Sequence, residues 1–223
     1  MIQQGSNAWK ISRLGYFTGS RIGELMTSGR KKEELFGQTA MSYIYEVAAE
    51  RNLLPAYVND EYLFEIYDNY MTVSTKYMEF GKENEAFAIE RYQLLTGYTC
   101  EEVESLRHPS LKWFSASPDR IVHLGTKRRA IAEVKCVKPG RLMEYKDKVY
   151  NNATLKALEP KYYYQVQAEM MCSKLRIADF IVFCPFLKNG LHVVRIKADW
   201  DVQDEIKFRV REANKLIKKI IKK

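Results

Sequence analysis

The strongest constraint on this chain is a pair of short segments near its middle. Segment 112–123 (KWFSASPDRIVH) and segment 130–137 (AIAEVKCV) read as two strands joined by Leu124-Gly125-Thr126-Lys127, a hairpin-type connection, with Pro139-Gly140 closing the second. Side chains on a strand alternate faces, so Glu133 and Lys135 point one way and Val134 the other, toward a core. Asp119 stands fourteen residues before Glu133 on the partner strand, and the hairpin brings it opposite that pair. Two carboxylates and an ammonium then share one small site. An E-x-K on a strand usually means a solvated face; a Pro-Asp upstream on a hairpin partner is much rarer, and a surface ion-pair cluster is the competing reading.

Phosphodiester hydrolysis needs this set of groups. Carboxylates suit Mg²⁺, a hard cation that prefers oxygen ligands and keeps several waters. Such a metal acidifies water and offsets charge on the leaving oxygen. A neighbouring lysine can position the attacking water, and the backbone carbonyl of Val134 can supply a further ligand. Glu85 falls on a helical stripe with Ala88, Ile89 and Tyr92, where a carboxylate needs a partner or a metal; an edge-of-helix glutamate is the plainer alternative. Gln165, in a tyrosine-rich helix, can hydrogen-bond a phosphate or a water, or pack as an ordinary amide. Tyr162, Tyr163 and Tyr164 read mainly as packing, with base stacking the lesser option.

The rest of the chain supports a single domain over 1–223, with no repeat or Pro/Gly-rich linker dividing it. Helices are expected from a Thr18 cap to Met26, ending at Gly29, and over 38–52, 76–95 (stopped by Gly97), 158–173 (Pro160 in its first turn) and 201–222. Strands are expected at 178–186 and 191–197, flanking a Lys188-Asn189-Gly190 turn. This order predicts an α/β (α+β) core, a central mixed sheet flanked by helices.

Charge points to the partner. Lys and Arg number 36 against 28 Asp and Glu, a net charge of +8, which suits a binder of polyanions such as DNA. A 46% hydrophobic, 13% aromatic composition excludes a disordered chain. The four cysteines form no C-x-x-C pair, which argues against zinc or iron–sulfur ligation, and Cys136 and Cys184 read as core residues. No secretory signal and no run of about 18 apolar residues is present, so a reduced, cytoplasmic protein is expected, with no membrane partner.

Several short motifs in order carry a family resemblance. Gln4-Gly5-Ser6 with Trp9, Arg13-Leu14-Gly15, Thr18-Gly19-Ser20, Met41-Ser42-Tyr43, Gly81-Lys82 with Glu85, Ser117-Pro118-Asp119, Glu133-Val134-Lys135-Cys136 and Gln165-Val166-Gln167 together resemble the YqaJ-type viral recombination nucleases, the group of lambda exonuclease within the PD-(D/E)XK superfamily. The resemblance runs from about residue 3 to 197. It implies a two-metal nuclease, using Mg²⁺ with Mn²⁺ able to substitute, that degrades one strand of double-stranded DNA ends 5′ to 3′ and leaves a 3′ overhang for recombination. Asp119 and Glu133 would be metal ligands and Lys135 the water-positioning lysine, with Glu85 and Gln165 completing the catalytic group. Arg13 and Ser20 match positions that hold the 5′-terminal phosphate, and a helix N-terminus near Ser20 suits an anion. A ring-shaped homotrimer and a single-strand annealing protein are implied as assembly and partner. Two positions depart from the family pattern: Arg120 stands where glycine is common, and Pro109 where an acidic residue is expected. The competing readings are a restriction- or repair-type endonuclease on the same core and an inactive basic DNA-binding module. Clustered C-terminal cysteines, the mark of a Cas4-like nuclease, are missing.

Overall fold

The computed structural model describes residues 4–31, 33–72, 75–125 and 127–222. Its N-terminal elements are α1 (Asn7–Arg13), β1 (Phe17–Thr18), a 3-10 turn (Gly19–Arg21), α2 (Ile22–Leu25), α3 (Gln38–Glu50), α4 (Ala56–Asn59), α5 (Glu61–Met71) and α6 (Lys76–Thr96). The central strands are β2 (Thr99–Glu101), β3 (Leu106–Arg107), β4 (Phe114–Ala116), β5 (Arg120–His123) and β6 (Arg129–Cys136). Then come α7 (Pro139–Lys148), α8 (Asn152–Leu158), α9 (Pro160–Ser173), β7 (Ile177–Phe183), β8 (Leu191–Lys197) and α10 (Trp200–Ile221).

The described strands form a mixed five-stranded sheet in the order β2-β5-β6-β7-β8 and a smaller three-stranded one, β1-β4-β3. In the larger sheet only β6 and β7 run parallel, and the crossover between them carries α7, α8 and α9. This is the expected mixed α/β architecture with helices on the sheet. Alternation along β6 divides its side chains between two cores. Ala130, Ala132 and Val134 face Ala88, Ile89 and Tyr92 of α6. Ile131 faces the larger core with Val166 and Phe180, on the side covered by α9.

Local chemistry accounts for most element ends. α6 starts at Thr75, whose hydroxyl accepts the Met78 N–H, and stops at Gly97 in the left-handed region at φ +71°. α10 starts at Asp199, whose carboxylate accepts the Val202 N–H. β7 ends before Pro185, which has no N–H to offer the ladder.

Four expectations need correction. Thr18 caps no helix: it lies in β1, paired in parallel with Ser115, and its N–H donates to the Tyr43 hydroxyl at 2.8 Å. The helix there is only Ile22–Leu25. Segment 112–123 is not one strand but two, β4 and β5, which join different sheets. Pro118 explains the break, because it lacks an N–H and restricts the residue before it. The β5–β6 turn is closed by the Leu124 N–H on the Arg128 carbonyl, while Thr126 lies outside the described residues. The helix expected from 158 begins at Pro160; residues before Glu159 belong to α8, started by an Asn151–Thr154 capping box. Finally, Cys184 is buried in the core but Cys136 is only half-buried and lines a cavity. No helix among the described residues is long and apolar enough to cross a membrane.

Candidate active site

Glu133 and Lys135 leave β6 on the face that α9 covers, and Asp119 meets them from the residue just before β5. The Asp119 N–H donates to the Ala132 carbonyl at 3.2 Å and its Oδ2 accepts the Val134 N–H at 2.7 Å. Both ends of the residue are therefore tied to β6. Lys135 Nζ donates to Glu133 Oε1 at 2.5 Å and sits 4.8 Å over the Tyr162 ring. From α9, Gln165 Nε2 donates to Glu133 Oε1 at 2.6 Å. From α6, Glu85 approaches the opposite side and is held by Arg120, whose Nη1 donates to Glu85 Oε1 at 3.0 Å and to the Asp119 carbonyl at 2.5 Å. Arg120, one of the two departures from the family pattern, thus pairs with Glu85 and offsets part of its charge.

A cavity of about 470 Å³ opens onto this group. Its wall contains Asp119, Glu133, Val134, Lys135, Glu85 and Gln165, and also Arg13 and Ser20. Residues more than a hundred positions apart therefore face one space. Arg13 ends α1 with its guanidinium 4.0 Å over the Trp9 ring and its Nε buried without a partner. Burial lowers its pKa against the pull of Tyr43 and Glu50. Ser20 stands in the 3-10 turn after β1 rather than at the start of a long helix, so little helix dipole acts there. The adjacent Arg21 is occupied elsewhere, paired with Glu24 and Glu46.

Electrostatics set the state of these groups. Burial, then Glu133 and Glu85, push the Asp119 carboxyl well above the usual carboxylate range. Burial also raises Glu85, opposed by Arg120. Lys135 loses hydration, but Glu133 and Asp119 outweigh that loss and its pKa moves up, so it stays a cation. Burial pushes the Cys136 thiol up to about 12, leaving it protonated and a poor nucleophile.

The donor set fits a hard divalent cation. Asp119 and Glu133 offer carboxylate oxygen and Val134 a backbone carbonyl. Glu133 Oε2 is buried with no hydrogen-bond donor among the described residues, beside the Glu169 carboxyl, and is open to a ligand. Among the described residues no three His, Cys, Asp or Glu side chains converge as a ready cage. Mg²⁺ needs none, since one or two carboxylates with water suffice, whereas structural zinc takes four protein ligands.

One buried acid of the site escaped sequence reasoning. Glu169 is 1% exposed and its Oε1 accepts a hydrogen bond from Gln165 Nε2 at 2.9 Å. Its carboxyl is raised well above the usual range by burial and then by Glu133. The signal was present: Glu169 follows Gln165 at i+4, the spacing that stacks two side chains on one helix face.

The pattern of the YqaJ-like viral recombinase domain matches residues 8–176. No curated protein sequence matches that of this chain. Among solved structures, an alkaline exonuclease from Laribacter hongkongensis superposes with a TM-score of 0.76 at 23% identity, covering 97% of this chain and 95% of its own. The same enzyme in complex with dAMP gives a TM-score of 0.76 at 24% identity, with the same coverage. A phage-related exonuclease from Haemophilus somnus 129PT gives 0.67 at 19% identity, covering 93% of this chain and 95% of its own. These likenesses show a shared fold, and with a domain pattern spanning most of its length, the chain belongs to the YqaJ-like viral recombinase domain family.

Proposed function

We propose that this chain is a Mg²⁺-dependent deoxyribonuclease that digests one strand of linear double-stranded DNA 5′ to 3′, leaving 3′ overhangs for recombination. The observation that carries this reading is the shared cavity: the Asp119–Glu133–Lys135 array on one wall and Arg13 with Ser20 on another. Family membership and the fold shared with two exonucleases support it, and so does the dAMP complex of one of them.

In this reading Asp119, Glu133 and the Val134 carbonyl hold Mg²⁺, with Mn²⁺ able to substitute. The ion supplies Lewis acidity, acidifying water and offsetting charge on the leaving oxygen. The Lys135 ammonium, fixed by Glu133, orients the attacking water and faces the scissile phosphate. Glu85 adds negative charge tempered by Arg120. Gln165 braces Glu133 from α9. The Arg13 guanidinium, with the Ser20 hydroxyl, grips the 5′-terminal phosphate and so sets the distance from the end at which cleavage occurs. The family resemblance further implies a homotrimer around the duplex and hand-over of the overhang to an annealing protein.

Linear duplexes labelled at either the 5′ or the 3′ end, incubated with and without Mg²⁺, test the reading. The expected result is release of the 5′ label as a small product only with metal, circular duplex remaining intact, and loss of at least about a thousandfold in rate for Asp119→Ala and Glu133→Ala. Cutting of circular DNA would instead favour the endonuclease, and no cutting under any condition would favour the inactive binding module.

A further inference from the structure

Gln165 and Glu169 form a device at the back of the cavity. The side-chain amide of Gln165 carries two hydrogens on Nε2, and both are committed, one to Glu133 Oε1 at 2.6 Å and one to Glu169 Oε1 at 2.9 Å. Turning the amide over would set Gln165 Oε1 against two carboxyl oxygens, acceptor against acceptor. With Glu133 alone, the second hydrogen could swing toward the cavity that Gln165 lines. Glu169 therefore decides which end of the amide the cavity meets.

We propose that Glu169 is a positioning residue that locks the Gln165 amide so that its carbonyl Oε1 faces the cavity as an acceptor. An acceptor there takes a hydrogen from water and repels a phosphate oxygen, so Gln165 orients the attacking water rather than the substrate's phosphate. This assignment rests on the nuclease reading above.

Two features argue against Glu169 being filler. Among the described residues it is 1% exposed yet forms no ion pair with any Lys or Arg, and no donor reaches its Oε2. Burial and Glu133 both work against its charge, so an apolar side chain would pack there at less cost. What Leu or Met cannot supply is the oxygen that holds Gln165 and the side-chain hydrogen bond with Glu133. With Oε1 already accepting from Gln165, a neutral carboxyl carries its proton on Oε2, beside Glu133, so the lock needs only that Oε1 stay an acceptor.

The test compares Glu169→Gln, which keeps an acceptor oxygen in place, with Glu169→Leu, which removes it. Gln165 side-chain amide hydrogens, assigned by NMR with a Gln165→Met control, should exchange slowly in wild type and Glu169→Gln. They should exchange at least about tenfold faster in Glu169→Leu. Turnover of 5′-phosphorylated duplex should fall roughly ten- to hundredfold in Glu169→Leu with KM unchanged, the worth of one charge-assisted hydrogen bond, and stay near wild type in Glu169→Gln. Should Glu169→Leu not fold, the more pliable Glu169→Met is read the same way. Slow amide exchange and wild-type turnover in the apolar variant would overturn the proposal. A wild-type protein that cuts no DNA with Mg²⁺ or Mn²⁺ would sink the nuclease reading instead, while the amide exchange still reports the lock itself.

Discussion

Asp119 is buried against Glu133 and Glu85, and its carboxyl is raised well above the value of an unfolded chain, about 3.9. Between those two values the folded state holds the extra proton. Stability of the metal-free protein therefore falls as pH rises through that window, and the deficit is complete above the folded value. Asp119→Asn should stabilise the protein in chelator at pH 7, with the gain vanishing below about pH 4. Urea unfolding at both pH values checks this, and equal stability at pH 7 would contradict it. Adding Mg²⁺ should stabilise wild type and leave the asparagine variant unmoved. Lys135 shows the opposite balance, a cation kept charged by its acids. Lys135→Ala should lose turnover while retaining Mn²⁺ binding, and Lys135→Arg should not restore it, because a planar fork replaces a compact ammonium. Near-normal turnover in both variants would leave Lys135 as an ordinary strand residue.

At the scale of elements, the short α2 leaves the Leu25 carbonyl and the loop after it, through Leu35, in need of donors. Arg209 of α10 supplies donors there, sharing the Thr27 carbonyl with the Gly37 N–H. Its Nη1 reaches the Leu25, Thr27 and Leu35 carbonyls at 3.2, 3.3 and 2.9 Å, and its Nη2 reaches Ser28 Oγ at 2.7 Å. Glu205 holds its Nε at 2.6 Å. Arg209→Met should cost about 3 kcal/mol, from unpaired buried carbonyls and a lost charge-assisted network, and Arg209→Lys should recover little of it. The urea midpoint at constant slope is the measurement, and a shift under about 0.5 kcal/mol would show the clamp to be incidental. Elements also differed in how legible they were. α6 is legible from its caps, Thr75 and Gly97, and α10 from its Asp199 cap and apolar periodicity. α5 was not anticipated although its sequence is amphipathic, and the fold uses little of that pattern: only Phe64 is buried, while Tyr62, Ile66 and Tyr70 are exposed.

Over the whole molecule, the cavity joins the N-terminal helix to the central sheet, so in the proposed function end recognition and chemistry depend on one global arrangement. Arg13 and Ser20 reach the space beside Asp119 because β1 pairs with β4, the strand just ahead of the Ser117-Pro118-Asp119 turn. In the proposed function, wild type digests 5′-phosphorylated duplex roughly ten- to hundredfold faster than 5′-hydroxyl duplex, the worth of a charge-assisted contact. Arg13→Ala should slow the phosphorylated substrate and narrow that gap while barely touching the hydroxyl one. Initial rates for both proteins on both substrates, at one salt concentration, decide it. A full preference retained by Arg13→Ala would move the phosphate pocket to another residue.

Local features were legible in the order of the amino acids. Strand alternation put Glu133 and Lys135 on one face, a rare Pro-Asp marked Asp119, and caps and glycines bounded the long helices. Ordered motifs along the chain carried the family. Tertiary structure decided what depends on contacts between distant segments. Whether segment 112–123 stays one strand turned on which sheet edge each half could join, and Pro118 sent them to different sheets. Whether Arg120 is an intruder or a partner turned on Glu85 lying on a helix 35 positions earlier. Glu169 became part of the site only when α9 crossed the face of β6, because a carboxyl's role is set by the groups that surround it once water has been excluded. Spacing along a chain records which side chains share a face; it does not record what that face will be pressed against.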